Sequence, residues 1–170
     1  MNRNGFTLIE LIVVISIMGI LTSLSLASFK DSTGGTLLES DGVEIKSIIE
    51  KAKNQTTTGA VDYIKDLSGN YGVFFSKNTP DKYYLYLDID KDKLYQLNEK
   101  VTEYNLTSSE IESFSTVTNT LDINFYSENA TIYINGSIPE SNIIINIKNS
   151  KDVFRYININ KISKVIDITE

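Results

Sequence analysis

The sequence predicts an α+β protein: a long N-terminal helix, membrane-spanning in its front half and amphipathic in its back half, packed on an antiparallel β-sheet or two-sheet head. Three observations carry that expectation. Phe6 to Phe29 is a predominantly apolar run without Lys, Arg, Asp or Pro and with a single Glu. Downstream, Leu38, Ile45, Ile48, Ile49 and Ala52 recur at three-to-four spacing, the stripe of an amphipathic helix. Beyond Asn70 the apolar residues alternate with period two, as half-buried strands do.

The front run is long enough for a helix of about 36 Å, sufficient to cross a bilayer's hydrocarbon core. Its one ionisable residue is Glu10, and a carboxylate within such a helix costs about 2.5–3.5 kcal/mol on insertion scales. A group that costly needs a partner. Gly19, Ser23 and Ala27 lie four apart on one face, a small-residue line that lets helices approach closely. An uncleaved anchor, with Arg3 held on the cytoplasmic side, is the simplest reading of the run. Gly34-Gly35 marks an expected weak point or bend, with residues 6–30 as the membrane helix and 31–56 as the amphipathic one.

Residues 57–170 are expected to form the β-rich head. Tyr71–Ser76 reads as a strand, followed by Tyr83, Leu85, Leu87 and Ile89 alternating with Tyr84, Tyr86, Asp88 and Asp90. Leu94–Leu97 is the expected hairpin partner of that second strand. Leu121–Phe125, Ile132–Ile134, Ile143–Ile147, Val153–Asn160 and Val165–Ile168 complete the set, joined by Asn, Ser and Gly turns. Asn98–Asn119 is polar and reads as loop, with one helical turn around Ser108–Glu112.

Composition excludes several chemistries. The 170 residues include no Cys and no His, so disulfides, thiolate metal sites and histidine-based nucleophilic machinery are ruled out. A net charge of -6 argues against a generally basic surface for nucleic acid. No glycine-rich phosphate loop and no paired carboxylates suggest catalysis, and the expected role is not enzymatic.

Gly5-Phe6-Thr7-Leu8-Ile9-Glu10, continued by LIVVISIMGIL, resembles the processing site of the type IV pilin superfamily, which includes the type II secretion and competence pseudopilins. Many members carry a proline where this chain has Ala27. The resemblance implies that residues 1–5 are a leader, cut between Gly5 and Phe6 by a prepilin peptidase that then methylates the new amino terminus at Phe6. It implies polymerisation through the N-terminal helix with identical or related subunits, after contact with membrane lipid and an inner-membrane assembly platform. It also places the protein first as a single-pass cytoplasmic-membrane protein with an extracytoplasmic head, then in a pilus or pseudopilus. Glu10 would meet the freed α-amine of a neighbouring subunit, which fixes register because any slip strands both charges. The order of helix, YYLYLDIDKDKLYQL hairpin, INFYSENATIYING and IIINIKNSKDVFRYININ also resembles the GspH/FimT-type minor members, favouring a minor over a major subunit.

A membrane-tethered binding module is the alternative. Asp88, Asp90, Asp92 and Glu99 occupy positions one, three, five and twelve of a calcium loop. Lys93 at position six, where the sharp turn wants Gly, makes a solvated acidic hairpin turn the simpler account and leaves the head without a required cofactor. Lys148, Lys151, Arg155, Lys161 and Lys164 form the most basic stretch, a candidate DNA contact diluted by Asp152, Asp167 and Glu170. Tyr84, Tyr86, Tyr133, Phe154 and Tyr156 read as exposed aromatics serving adhesion or, more simply, cross-strand packing.

Overall fold

The structure, a computed structural model, describes residues 7–59, 61–62, 67–126 and 131–169, and among these the side chains of all but 25–34, 61–62 and 67–68. The chain divides into two units, Met1–Thr36 and Leu37–Glu170. One helix, α1, runs from Leu8 to Thr58, with helical backbone at Gly34 and Gly35, where the sequence suggests a weak point or bend. Two interior glycines cost about 2 kcal/mol. Starting a second helix would require a fresh nucleus, about 4 kcal/mol by the usual nucleation constant. Continuation is therefore the cheaper path.

In the second unit the helix carries the expected stripe. Leu38, Ile45, Ile48, Ile49 and Ala52 are all buried. The helix ends at Thr58, where Gly59 takes the left-handed φ of 65° that suits a residue without Cβ. The strands follow: β1 Val61–Asp62, β2 Leu67–Ser68, β3 Asn70–Ser76, β4 Lys82–Asp88, β5 Lys100–Asn105, β6 Ser109–Phe114, β7 Thr120–Tyr126, β8 Thr131–Ile134, β9 Ile143–Asn149, β10 Phe154–Ile159 and β11 Ile166–Thr169. They form a five-stranded sheet in the order β5-β4-β3-β7-β8 and a four-stranded sheet in the order β11-β10-β9-β6, with β1 and β2 a separate pair. Every pairing is antiparallel. Both sheets and the helical stripe share one core, in which Val73, Phe75, Leu85, Ile123, Ile145 and Ile157 are fully buried.

Two expectations fail between residues 94 and 119. The partner of β4 is β5, and the chain reaches it through a short 3-10 turn at Leu97–Glu99, so Leu94–Leu97 is not a strand. Asn98–Asn119 contains β5 and β6 in place of a loop with a helical turn at Ser108–Glu112. Both are edge strands, and polar residues on an edge guard against pairing with other chains. That composition disguised them. Between them the chain passes from one sheet to the other, and Asp41 of α1 holds the crossing. Its carboxylate, 2 % exposed, accepts from Thr107 N and Ser108 N at 3.0 Å each and from Ser109 Oγ at 2.7 Å.

The five-stranded sheet buries its outer face as well as its core face. Tyr86, read as exposed, is fully buried, because its ring lies over Gly72 of the neighbouring strand. A Cβ on Gly72 would clash with Cζ, Cε1 and Oη of Tyr86. Tyr86 Oη donates to Asp122 Oδ1 and accepts from Asn124 Nδ2 at 3.1 Å. The segment between β4 and β5 folds over this network. Tyr95 N donates to Asp122 Oδ2, while its ring stacks on Phe74 at 4.5 Å and Tyr84 at 5.6 Å and meets the Tyr86 edge at 5.5 Å. Cross-strand packing, one of the two readings of the aromatics, describes Tyr84 and Tyr86.

Asp41→Ala leaves two main-chain N–H groups and one hydroxyl without their acceptor, and is expected to cost about 2–3 kcal/mol of stability. Urea unfolding of the full chain in detergent should show the lowered midpoint, with Asp41→Asn intermediate. Burial pushes the Asp122 carboxyl up to about 7, with the Tyr86 hydroxyl and Tyr95 N–H opposing that rise. An unfolded aspartate ionises near about 3.9, so over the interval between the two values the folded chain holds a proton that the unfolded chain has released. Stability should therefore rise as pH falls from about 8 to about 5, and be lost as pH climbs through the folded value. Melting temperatures across that range should show the slope, and Asp122→Asn should reduce it.

Candidate functional site

Three places carry the residues singled out by the sequence. The first is the start of α1. Gly5 and Phe6 lie outside the described residues, and Glu10 stands in the first turn of the helix. Glu10 Oε2 accepts from Thr7 N and Thr7 Oγ1, both at 2.7 Å, and Glu10 N donates to Thr7 Oγ1 at 3.3 Å. This reciprocal arrangement is a capping box, which satisfies orphan N–H groups at a helix start. The Thr-x-x-Glu spacing ahead of an apolar run is its sequence signal, and sequence reasoning missed it. The carboxylate that looked unpartnered within the chain has a local partner.

Beyond Glu10 the helix is apolar on every described side. Leu8, Ile9, Leu11, Ile12, Val13, Val14, Ile15, Ile17, Met18, Ile20, Leu21 and Leu24 are all about half or more exposed. Its hydroxyls turn inward to the backbone: Ser16 Oγ donates to Ile12 O, Thr22 Oγ1 to Met18 O and Ser23 Oγ to Ile20 O, at 2.7–2.8 Å. Such back-bonding removes donors that apolar surroundings could not satisfy. Around Gly19 the space for a Cβ is open, and the side chain of Ala27 lies outside the described residues. Among the described residues no helix is long and apolar enough to cross a membrane. The apolar side chains described run from Leu8 to Leu24, about 25 Å of helix against roughly 30 Å of hydrocarbon.

The second place is the segment after β4. Asp88, Asp90 and Glu99 each bring one carboxylate oxygen within 4.8 Å of the others. Asp88 is 0 % and Glu99 1 % exposed, and Asp90 faces solvent. Lys93 N at 3.1 Å and Asn124 Nδ2 at 3.0 Å donate to Asp88 Oδ2, while Asp88 Oδ1 is buried with no hydrogen-bond partner. Glu99 accepts from Ile89 N at 2.8 Å and Gln96 N at 3.2 Å. Burial, with the Glu99 charge adding to it, raises the Asp88 carboxyl to about 6 against the pull of its donors. Asp92 accepts from Leu94 N at 2.8 Å, and Gln96 Nε2 spans Asp90 at 2.6 Å and Asp92 at 3.0 Å. Lys93 adopts φ 70°. The left-handed turn that seemed to demand glycine is thus made by a lysine. Its ammonium lies 4.2 Å from the Tyr133 ring centroid and 5.4 Å from that of Tyr126, which anchors the side chain on β7 and β8.

The third place is the basic stretch, which the fold spreads apart. Lys148 on β9 sits among Glu112 at 2.9 Å, Glu110 at 3.6 Å and Asp152 at 3.7 Å, and the Glu112 contact raises its pKa. Arg155 on β10 is paired with Ile147, one residue from Lys148, so the two cations lie on opposite faces of the sheet. Arg155 Nε reaches Glu39 of α1 at 2.9 Å. Lys151 lies in the turn between β9 and β10, and Lys161 and Lys164 in the turn before β11, where Lys161 Nζ donates to Glu140 O and Lys164 O accepts from Lys53 Nζ.

Against known proteins, the chain matches no curated sequence and no solved structure. Residues 1–26 match the family model described as the prokaryotic N-terminal methylation motif, which takes in Gly5, Phe6 and Glu10, and this match supports a type IV pilin-like or pseudopilin subunit processed by a prepilin peptidase.

Proposed function

We propose that the protein is a structural, non-catalytic subunit of a type IV pilus or of a type II secretion or competence pseudopilus. It is cleaved between Gly5 and Phe6, methylated at Phe6, held in the membrane by its apolar helix as a single span, and polymerised through that helix. One observation carries the reading: α1 shows apolar side chains all round from Leu8 to Leu24, immediately behind a matched processing motif. A surface of this kind needs lipid first and other helices later. The order of α1, the β3–β4 hairpin, the β7–β8 hairpin and the β9–β10 hairpin supports a minor subunit of the GspH/FimT kind. The DNA-binding alternative draws no support from basic residues that the fold separates.

Mass spectrometry of the membrane-extracted protein should give an N-terminus at methylated Phe6, and an intact Met1 would refute the processing step. Glu10 now has two roles to separate, capping its own helix and meeting a neighbour's α-amine. Glutamine preserves the capping box but carries no charge. Glu10→Gln should therefore insert and be processed normally yet fail to enter filaments. Normal incorporation of that variant would reduce Glu10 to a helix cap.

A further inference from the structure

Calcium-loop spacing alone says little, since acidic turns are common on protein surfaces. The fold adds an independent observation. Asp88, which clusters with Asp90 and Glu99, is completely buried, and its Oδ1 has no hydrogen-bond partner. Among the described residues none of these three carboxylates makes an ion pair with Lys or Arg. Two buried carboxylates side by side, one with a bare oxygen, are an arrangement that a cation relieves.

We propose that Asp88, Asp90 and Glu99 form a calcium site that fastens the β4–β5 connection to the outer face of the five-stranded sheet, with Asp92 supplying a further oxygen. The donor set is oxygen alone, which selects a hard cation. The three oxygens lie within 4.8 Å of one another, inside the ~5 Å that separates opposite ligands of one calcium ion at ~2.3–2.6 Å, so a small inward movement of the exposed Asp90 brings all three onto one ion. Asp92 lies outside the cluster of three, and Gln96 Nε2, which donates to both Asp90 and Asp92, keeps it beside Asp90. Lys93, within the loop, has its ammonium over Tyr126 and Tyr133. Its φ of 70° shows the sixth position turning as a calcium loop requires, without glycine. The anchor is the sheet itself, because Asp88 is the last residue of β4 and Asn124 of β7 donates to its second oxygen. Rigid seating of one ligand with an exposed Asp90 at the mouth suits an affinity in the range of extracellular modules, about 0.1–1 mM. This inference is independent of polymerisation and of the processing step.

The test uses the full chain in detergent, stripped with EDTA and titrated with CaCl2, with MgCl2 as the control. Calcium at about 5 mM should raise the melting temperature by about 3 °C or more, with a smaller effect from magnesium. Terbium should bind at the same place and show saturable luminescence sensitised by nearby tyrosine, displaced by calcium. Asp90→Asn, at an exposed position that leaves the core intact, should weaken calcium at least tenfold, and Asp88→Asn should abolish the response. Absence of a calcium shift and of saturable terbium luminescence in the wild type would overturn the proposal. So would a response that Asp90→Asn leaves unchanged, since the ion would then be sitting elsewhere.

Discussion

A helix that turns apolar side chains to every side has no inward face, and the front of α1 is such a helix. At about 25 cal/mol per Å2, each half-exposed Leu or Ile there forgoes about 1 kcal/mol of burial. Summed along the segment from Leu8 to Leu24, that deficit is comparable with the net stability of an ordinary domain. Among the described residues none of these apolar side chains is buried, and the surface suits cover from lipid or from another helix. The polar groups of the segment agree, because Ser16, Thr22 and Ser23 spend their donors on their own backbone and Glu10 closes a box with Thr7. A segment prepared in this way can exchange one apolar environment for another without leaving a hydrogen bond unmade. Lipid and a bundle of like helices are two such environments.

The second unit solves a different problem, that of holding two sheets and a helix in one core. Apolar contact along Leu38, Ile45, Ile48, Ile49 and Ala52 is non-directional and cannot by itself fix where the chain passes between sheets. Directional bonds from the helix do so. Asp41 holds the β5–β6 crossing, and Thr56 Oγ1 accepts from Tyr71 N at 2.7 Å at the start of the five-stranded sheet. Both are polar residues on an otherwise apolar face. They are buried because each satisfies backbone groups that no strand partner could reach.

Much of this was legible in the sequence. The helical stripe, the two-sheet head and the strands at β3, β4 and β7–β11 follow from periodicity, since each of those elements has one clearly apolar face. The reading failed where periodicity is weakest or where both faces are buried. β5 and β6 are polar because they are edges, and a bulge between Ile111 and Ser113 breaks the alternation of β6. Tyr86 follows the polar register of β4 yet is buried, because the next segment of chain covers it. At Lys93, glycine was expected for its backbone freedom. The sequence could not show that two aromatic rings from β7 and β8 would hold a lysine in the same conformation. Each failure has the same origin: a local pattern overridden by residues distant in sequence.

The outer face of the five-stranded sheet follows the same logic. Phe74, Tyr84 and Tyr95 form a stacked aromatic cover, and beneath it lie Tyr86, Asp88, Asp122 and Asn124, all buried. Sheets with one solvated face alternate cleanly, whereas this one carries polar residues under a lid of its own loop. Two aspartates with raised pKa values, Asp88 and Asp122, share that space with one phenol and one carboxamide. Protein donors satisfy Asp122 at both oxygens but Asp88 at only one. Among the described residues the segment over this network is held by the stacking of Tyr95, the bonds of the Ile89–Gln96 segment and the Lys93 ammonium over Tyr126 and Tyr133. With a cation at the proposed site, the strength of that closure would depend on what reaches Asp88 from solvent, past Asp90, and this face of the head would respond to its ionic surroundings while the core face would not.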